Sequence, residues 1–230
     1  MNPKADLFVF VGPPGSGKGS LSSLCTRELN WQQLSTGNLC RKHIAERTEI
    51  GQAIDFAIKT GKLVSDSLIT GMVTQWFTQA HGLEGAIILD GYPRAVAQAQ
   101  AFDEFLKNEF SSSQLHVVRL VISDELVIER LSNRLICLNK ECQAVYSMRL
   151  GSLQQPKQAF VCDTCSGSLG KRADDEELAI RDRLKTYHKH EQDLLNFYVE
   201  KGQSLLELNV ERPLNGVFDE FKKLIGFETV

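Results

Sequence analysis

The glycine-rich segment from Gly12 to Ser20, which reads Gly-Pro-Pro-Gly-Ser-Gly-Lys-Gly-Ser, constrains the fold of this chain more than any other stretch. It follows an apolar run over residues 7–11, typical of a buried strand, and a helical pattern begins just after Lys18. Such a turn between a strand and a helix predicts a phosphate-binding loop, because backbone N–H groups and the helix N-terminus face an anion there. In the general motif a hydroxyl residue follows the lysine directly, whereas here Gly19 intervenes and Ser20 carries the hydroxyl.

Five short apolar runs alternate with helical patterns, which predicts an α/β fold of the P-loop type with a five-stranded parallel sheet. The runs cover residues 7–11, 31–34, 86–89, 117–122 and 205–210. They are almost continuously apolar, as expected for strands that helices cover on both faces in three layers. Residues 35–64 and 135–171 lie outside this alternation.

The composition limits the classes of function. A chain of 230 residues, 42% of them hydrophobic and 24% charged, is long enough for one folded domain with small insertions. Its net charge of −3 argues against a broad nucleic-acid-binding surface. The N-terminus lacks the layout of a signal peptide, and no run approaches the ~20 apolar residues of a membrane span. We therefore expect a cytoplasmic protein that binds neither nucleic acid nor membrane.

Four of the six cysteines lie close together in the sequence and predict a structural metal site. The spacing is C-x4-C, nineteen further residues and C-x2-C, formed by Cys137, Cys142, Cys162 and Cys165. Two cysteine pairs at the ends of one loop are typical of a tetrahedral Zn²⁺ site, in which no position is open for catalysis. Unrelated buried thiols and an iron–sulfur cluster are the alternatives. Cys25 and Cys40 stand alone, and we expect both as small buried side chains.

Several charged residues stand where phosphoryl-transfer chemistry needs them. Asp90 ends an apolar strand, at the sheet edge where α/β proteins bind ligands, and a carboxylate there can hold Mg²⁺ through water. The alternative is a turn-forming aspartate before Gly91. Five arginines are candidates for neutralising a moving phosphoryl group, although each one alone also fits a solvated surface charge. They are Arg94, Arg130, Arg134, Arg172 and Arg183.

Spacing and charge also predict two helix positions near these arginines. Arg130 and Arg134 are four residues apart and are predicted to share one face of one helix. Asp174 and Asp175 are predicted to open the next helix, since carboxylates suit an N-cap and first turn.

Taken together, these motifs resemble those of the adenylate kinases over nearly the whole chain, in the form that has a long lid with a cysteine-type zinc site. Residues 12–20 resemble the family's Gly-x-Pro-Gly-x-Gly-Lys-Gly-Thr loop, including the glycine after the lysine. Residues 35–41 resemble its Ser-Thr-Gly-Asp-x-x-Arg motif, and residues 89–94 with Gln98 resemble Leu-Asp-Gly-Phe-Pro-Arg…Gln. Further similar segments are Lys62-Leu63-Val64, Arg172 to Asp175, and Arg183.

The resemblance implies a core of residues 1–34, 65–133 and 172–230, an AMP-binding helical arm of residues 35–64, and a zinc-stapled lid of residues 134–171. It implies the reaction ATP + AMP ⇌ 2 ADP with Mg²⁺, carried out by a monomer whose partners are ATP, AMP and ADP. Closure of the lid over ATP would exclude water, and zinc would hold together a lid too small for its own core.

The resemblance also implies roles for individual residues. The implied ATP-binding residues are Gly15, Ser16, Gly17, Lys18, Gly19, Ser20, Arg130, Arg134, Val145, Tyr146 and Arg212. The implied AMP-binding residues are Thr36, Arg41, Lys62, Leu63, Val64, Gly91, Tyr92, Pro93, Arg94, Gln98, Arg172 and Arg183. The implied catalytic residues are Lys18, Asp90, Arg94, Arg134, Arg172 and Arg183. The four cysteines would bind the metal.

Three departures from the family pattern stand out. Asn38 replaces an aspartate, Ser20 replaces a threonine, and the first cysteine pair has four intervening residues instead of two. Thr36 and Gln98 favour adenine, but a kinase for UMP, CMP or another nucleoside monophosphate is an alternative, as is a weakly active homologue, which Asn38 suggests. A nucleic-acid-binding zinc ribbon is a further alternative, although its aromatic and basic residues are sparse.

Overall fold

The computed structural model describes residues 5–59, 64–79, 85–139, 141–142, 144–149, 152 and 154–227. A five-stranded parallel sheet forms its centre, with strands β1 (Ala5–Val11), β2 (Gln32–Ser35), β3 (Gly85–Asp90), β4 (Gln114–Val121) and β8 (Leu205–Asn209). The order of the strands in the sheet is β2-β3-β1-β4-β8. The predicted α/β fold with five parallel strands is confirmed.

Helices cover both faces of this sheet, as the continuous apolar character of the strands predicts. The helices of the described residues are α1 (Lys18–Leu29), α2 (Thr36–Ala45), α3 (Glu49–Lys59), α4 (Asp66–Gln79), α5 (Val96–Glu109), α6 (Asp124–Ser132), α7 (Glu177–Glu200) and α8 (Leu214–Leu224). One face of the sheet packs against α4, α5 and α7, where Phe77, Phe102 and Leu194 are buried. The other face packs against α1 and α8 through Leu24 and Phe221. Among the described residues, no helix is both long and apolar enough to cross a membrane.

The segment predicted as the lid contains a small antiparallel sheet that the sequence analysis did not predict. Its strands are β5 (Arg134–Cys137), β6 (Val145–Ser147) and β7 (Leu169–Gly170), in the order β6-β5-β7. Strands of two to four residues are too short to show a period of two. A separate apolar cluster, including Leu135, Tyr146 and Leu169, lies between them.

Both helix predictions near the arginines are wrong. Arg130 belongs to α6, but this helix ends at Ser132, and Arg134 is the first residue of β5. Asp174 and Asp175 lie in a 3-10 turn over Ala173–Asp175, and α7 begins only at Glu177. The reason is that the side chain of Asp175 binds Arg134 instead of a helix N-terminus.

The predicted arm consists of α2 and α3, which pack against each other unusually closely. A Cβ atom placed on Gly51 of α3 would lie 2.0 Å from the backbone oxygen of His43 in α2. Only glycine therefore permits this contact. Lys62 and Leu63 lie outside the described residues.

Candidate active site

The loop after β1 adopts the conformation that its glycines allow. Gly15 and Gly17 have φ angles of 81° and 93°, in the left-handed region that glycine enters at little cost. The backbone N–H of Ser16 donates to the carbonyl of Pro13 at 3.1 Å, and α1 begins at Lys18. The loop and the N-terminus of α1 thus form one concave turn at the carboxyl end of β1, as the sequence predicts.

Lys18 turns back into this loop. Its Nζ donates to the backbone oxygens of Gly12 at 2.7 Å and Pro13 at 2.9 Å, and to Ser16 Oγ at 3.3 Å. Although part of the side chain is exposed, the ammonium group is enclosed, and this burial lowers the pKa of Lys18 to about 8. The carboxylate of Asp90 opposes that shift.

Asp90 lies at the end of β3, the strand next to β1, and faces the phosphate loop. A Cβ atom on Gly19 would lie 3.3 Å from Asp90 Oδ2, so the absence of a side chain there lets the loop approach the carboxylate. Gln33 Nε2 of β2 donates to the same oxygen at 3.2 Å. The carboxyl end of the sheet therefore places one carboxylate beside the loop, and a carboxylate is a type of ligand that Mg²⁺ takes.

Arginines from separate parts of the chain converge on this point. The positive charges of Arg94, Arg183 and Arg134 all act to lower the pKa of Lys18. Burial, together with the positive charges of Arg134 and Arg41, lowers the pKa of Arg172 to about 10. Like charges are costly to collect without an anion to neutralise them, so this arrangement suits a polyphosphate ligand.

Two aspartates that the sequence analysis placed at a helix start instead hold the arginines. Arg134 donates from Nε and Nη2 to the two carboxylate oxygens of Asp175, at 2.8 Å and 2.5 Å. Arg183 Nη1 lies 2.9 Å from Asp174 Oδ2 and 3.6 Å from Asp175 Oδ1. The sequence analysis grouped Asp174 and Asp175 with Arg172 in one motif but did not predict their contacts with Arg134 and Arg183.

Arg130 contacts both the phosphate loop and the residue that follows β8. Its Nη2 donates to the backbone oxygen of Val210 at 2.6 Å, and its Nη1 lies 3.5 Å from the backbone oxygen of Ser16. Arg212 is two residues beyond Val210 and forms an ion pair with Glu220. The backbone of Arg212 is therefore two residues away from the Val210 carbonyl, through which Arg130 links the phosphate loop to the end of β8.

A second group of candidates surrounds the turn after β3. Thr36, which is 3% exposed, donates from Oγ1 to the Gly91 carbonyl at 3.0 Å. Arg94 Nε donates to the same carbonyl at 2.8 Å. Gly91 has a φ of 79°, and a Cβ there would lie 3.0 Å from Arg94 Nη2, so the turn requires glycine. Tyr92 and Pro93 continue this turn, and Val64 is half-buried at the N-terminal side of α4.

Gln98, which is 6% exposed, is held at both ends of its amide. Its Oε1 accepts from the backbone N–H of Arg94 at 2.8 Å, and its Nε2 donates to Asp66 Oδ1 at 2.6 Å. The Tyr92 hydroxyl donates to Thr70 Oγ1 at 3.0 Å. Asn38, which stands where the family pattern has an aspartate, still orients an arginine of this group, because Arg41 donates to Asn38 Oδ1. Sequence analysis missed Asp66, for which no motif gave a signal.

The four lid cysteines converge on one point. Their Sγ atoms all lie within 4.8 Å of one another, with 3.4 Å between Cys137 and Cys165 and 3.6 Å between Cys142 and Cys162. These distances exceed a disulfide bond and suit four sulfur ligands around one metal ion. The Tyr146 hydroxyl lies 3.4 Å from Cys162 Sγ, and this hydrogen bond lowers the pKa of Cys162 to about 6. The thiolate it favours is the form that binds metal.

Tyr146 therefore belongs to the lid interior, whereas its neighbour Val145 is exposed. The hydroxyl of Tyr146 also accepts from the backbone N–H of Asp163 at 2.8 Å. Of the two predicted ATP contacts in β6, only the Val145 side chain is free of the metal cluster. Cys25 is buried in the core, as predicted, while Cys40 is half-buried.

Comparisons with known proteins agree with this geometry. A family model described as Adenylate kinase matches residues 10–203. An adenylate kinase of Clostridium botulinum (strain Hall) is 35% identical over 220 residues, which cover 95% of this chain and 98% of that protein. An adenylate kinase of Archaeoglobus fulgidus is 34% identical over 218 residues, covering 95% and 97%, and one of Borreliella burgdorferi is 40% identical over 191 residues, covering 83% and 85%. The chain belongs to the adenylate kinase family of nucleoside monophosphate kinases.

Proposed function

We propose that this enzyme transfers the γ-phosphoryl group of Mg²⁺-bound ATP to AMP and forms two molecules of ADP. The observation that carries the proposal is the position of Lys18 Nζ within the loop, surrounded by the charges of Arg94, Arg134 and Arg183. Phosphoryl transfer requires little covalent chemistry from the protein and depends on positioning and on positive charge around the moving group.

In this proposal the loop residues Gly15 to Ser20 bind the ATP phosphates through backbone N–H groups, and Lys18 leaves its carbonyl partners for the outer phosphates. Arg130 and Arg134 would add positive charge on the ATP side, while Val145 and the backbones of Tyr146 and Arg212 would face the adenine. When bound, Mg²⁺ neutralises charge on the triphosphate. Asp90 would hold it through water, and Ser20 would supply a hydroxyl.

AMP would occupy the space between the arm and the turn after β3. Thr36, Arg41 and Arg94 would face this space together with Val64, and Gln98 would recognise the adenine. Arg172 and Arg183 would lie between the two nucleotides and neutralise the charge of the phosphoryl group in transit. The division into core, arm (residues 35–64) and lid (residues 134–171) is part of the same proposal.

The four-cysteine cluster would hold Zn²⁺. Its donors are all sulfur, and the arrangement leaves no ligand position for substrate, which suits a structural metal. Zinc would fix the short strands of the lid, whose apolar cluster is small. Elemental analysis of the purified protein would give about one zinc per chain; iron in place of zinc would contradict the assignment.

A coupled assay of ADP formation from ATP with AMP, UMP, CMP or GMP tests the reaction. We expect AMP to be the preferred acceptor, and a preference for UMP or CMP would overturn the proposal. Lys18→Met and Arg94→Ala should each lose most of the turnover while circular dichroism and the melting temperature stay close to the wild type. A monomer in the cytoplasm that binds neither nucleic acid nor membrane stays a prediction.

A further inference from the structure

The lid touches the phosphate loop at one of the positions where this chain departs from its family. Gln154, which lies in the lid segment, donates from Nε2 to Ser20 Oγ at 3.4 Å. Ser20 stands in the first turn of α1, two residues after Lys18. The contact therefore connects the lid to the Ser20 hydroxyl, which is proposed to face the metal-bound triphosphate.

The backbone of Gln154 is fixed on the lid sheet. Its carbonyl accepts from the backbone N–H of Ser147 in β6 at 3.0 Å, and its own N–H donates to Ser152 Oγ at 3.2 Å. Arg149, which lies between them in sequence, forms a 2.8 Å ion pair with Glu129 of α6. These two hydrogen bonds tie the backbone of Gln154 to β6 and to Ser152.

A serine at position 20 of α1 has more freedom at χ1 than a threonine would have. The second heavy atom on a threonine Cβ restricts χ1, whereas the serine hydroxyl is free to turn among three staggered positions. An amide N–H donated to the hydroxyl oxygen favours one of them. It leaves the O–H available as a donor and one lone pair available as an acceptor.

We infer that Gln154 is a positioning residue for this chain, one that orients the Ser20 hydroxyl toward the metal-bound triphosphate and so replaces the side-chain branch that threonine would provide. The inference rests on the proposed function, because it assumes that ATP lies in the loop. An uncharged amide suits the task, since it does not compete with the triphosphate for Mg²⁺ as a carboxylate would.

The test is a double-mutant cycle in the full-length enzyme. Gln154→Ala should raise the KM for MgATP and the Mg²⁺ concentration for half activation by about fivefold, in proportion to one lost hydrogen bond. The KM for AMP should stay within about twofold. In a Ser20→Thr background the same Gln154→Ala change should alter both values by less than about twofold, because threonine restricts its own hydroxyl.

Gln155→Ala is the matched control, since Gln155 is the exposed neighbour of the same residue type in the same turn. It should behave like the wild type. Equal losses from Gln154→Ala in the serine and threonine backgrounds, or an equal loss from Gln155→Ala, would overturn the inference and indicate a general disturbance of the lid. An inactive wild type would refute the proposed function, whereas an active wild type with a silent Gln154→Ala would refute this inference alone.

Discussion

Arg134 and Asp175 form a two-point ion pair that closes the base of the lid. The first is the opening residue of β5, and the second ends the 3-10 turn through which the chain leaves the lid. The side chain of Asp175 is completely buried, and that of Arg134 is 16% exposed. The pair therefore joins the two connections between the lid and the core, next to the arginines that surround Lys18.

Removal of the carboxylate should destabilise the protein substantially. Asp175→Ala leaves Arg134 without its buried partner, and breaking such a pair typically costs about 3–5 kcal/mol. Urea unfolding monitored by circular dichroism measures the loss. Glu177→Ala is the control, because its pair with Arg181 is 63% and 58% exposed and should contribute no more than ~0.5 kcal/mol. Equal losses of unfolding free energy in the two variants would show that the buried pair stabilises the protein no more than the exposed pair does.

The arm offers a separate test at Gly51. An alanine there would place its Cβ 2.0 Å from the backbone oxygen of His43, so α2 and α3 must move apart. Because the arm carries Thr36 and Arg41, we expect the KM for AMP to rise roughly tenfold while the KM for MgATP changes less than about twofold. Steady-state kinetics with each substrate varied in turn would measure both.

Gly71→Ala in α4 is the matched control for that substitution. A Cβ at this helical position meets no atom within 4 Å. Replacing an unobstructed helical glycine by alanine should stabilise the protein by about 0.5–1 kcal/mol and leave both KM values unchanged. An unchanged KM for AMP in Gly51→Ala would mean that the arm absorbs the clash without affecting the site.

The sequence predicts local features well where a short pattern of residues is compatible with only one local structure. The glycine loop, the five strands and the position of Asp90 at a strand end all follow from patterns within about ten residues. The convergence of the cysteines follows from their pairing and spacing. Each of these features depends on neighbours along the chain, so the pattern contains the information needed.

The partners of the arginines depend on neighbours in space, and the sequence does not reveal them. Asp175 has the local character of a helix N-cap, yet its carboxylate binds Arg134, which lies 41 positions earlier. Asp66 holds Gln98 across 32 positions, and Gln154 reaches Ser20 across 134. No periodicity distinguishes these polar residues from ordinary surface positions, so only the folded structure identifies them.

Replacement of one cysteine should destabilise the lid more than the rest of the chain. Cys162→Ser removes one of four sulfur ligands, and we expect a loss of bound metal and a lower melting temperature, by roughly 2–4 °C for each kcal/mol lost in a protein of this size. Turnover measured at low temperature should fall only slightly, whereas the melting temperature should fall clearly. Calorimetry and elemental analysis on the same samples would measure both effects.

Cys40→Ser is the appropriate comparison, because Cys40 lies in α2, outside the cluster. Its metal content should equal that of the wild type. Full metal content in Cys162→Ser would refute the four-sulfur site, and treatment of the wild type with a chelator should reproduce the melting temperature of that variant.

The lowered pKa of Lys18 predicts proton uptake when ATP binds. With a pKa of about 8, roughly half of the Lys18 side chains would be neutral at pH 8 in the free enzyme. Triphosphate raises this pKa because an adjacent anion favours the charged form, so binding at pH 8 should take up about half a proton. At pH 6 the lysine is already protonated and should take up none. Calorimetry in buffers of different ionisation enthalpy, at saturating MgATP without AMP, measures the number.

Lys18→Arg separates this uptake from protons that the nucleotide itself exchanges. Arginine stays charged throughout this pH range, so the variant should lack the half proton at pH 8 and match the wild type at pH 6. The affinity of the wild type for MgATP should weaken as the pH rises above 8, since the neutral lysine must then be protonated first. Identical uptake by wild type and Lys18→Arg at pH 8 would show that the Lys18 ammonium stays charged in the free loop despite its enclosure by Gly12, Pro13 and Ser16.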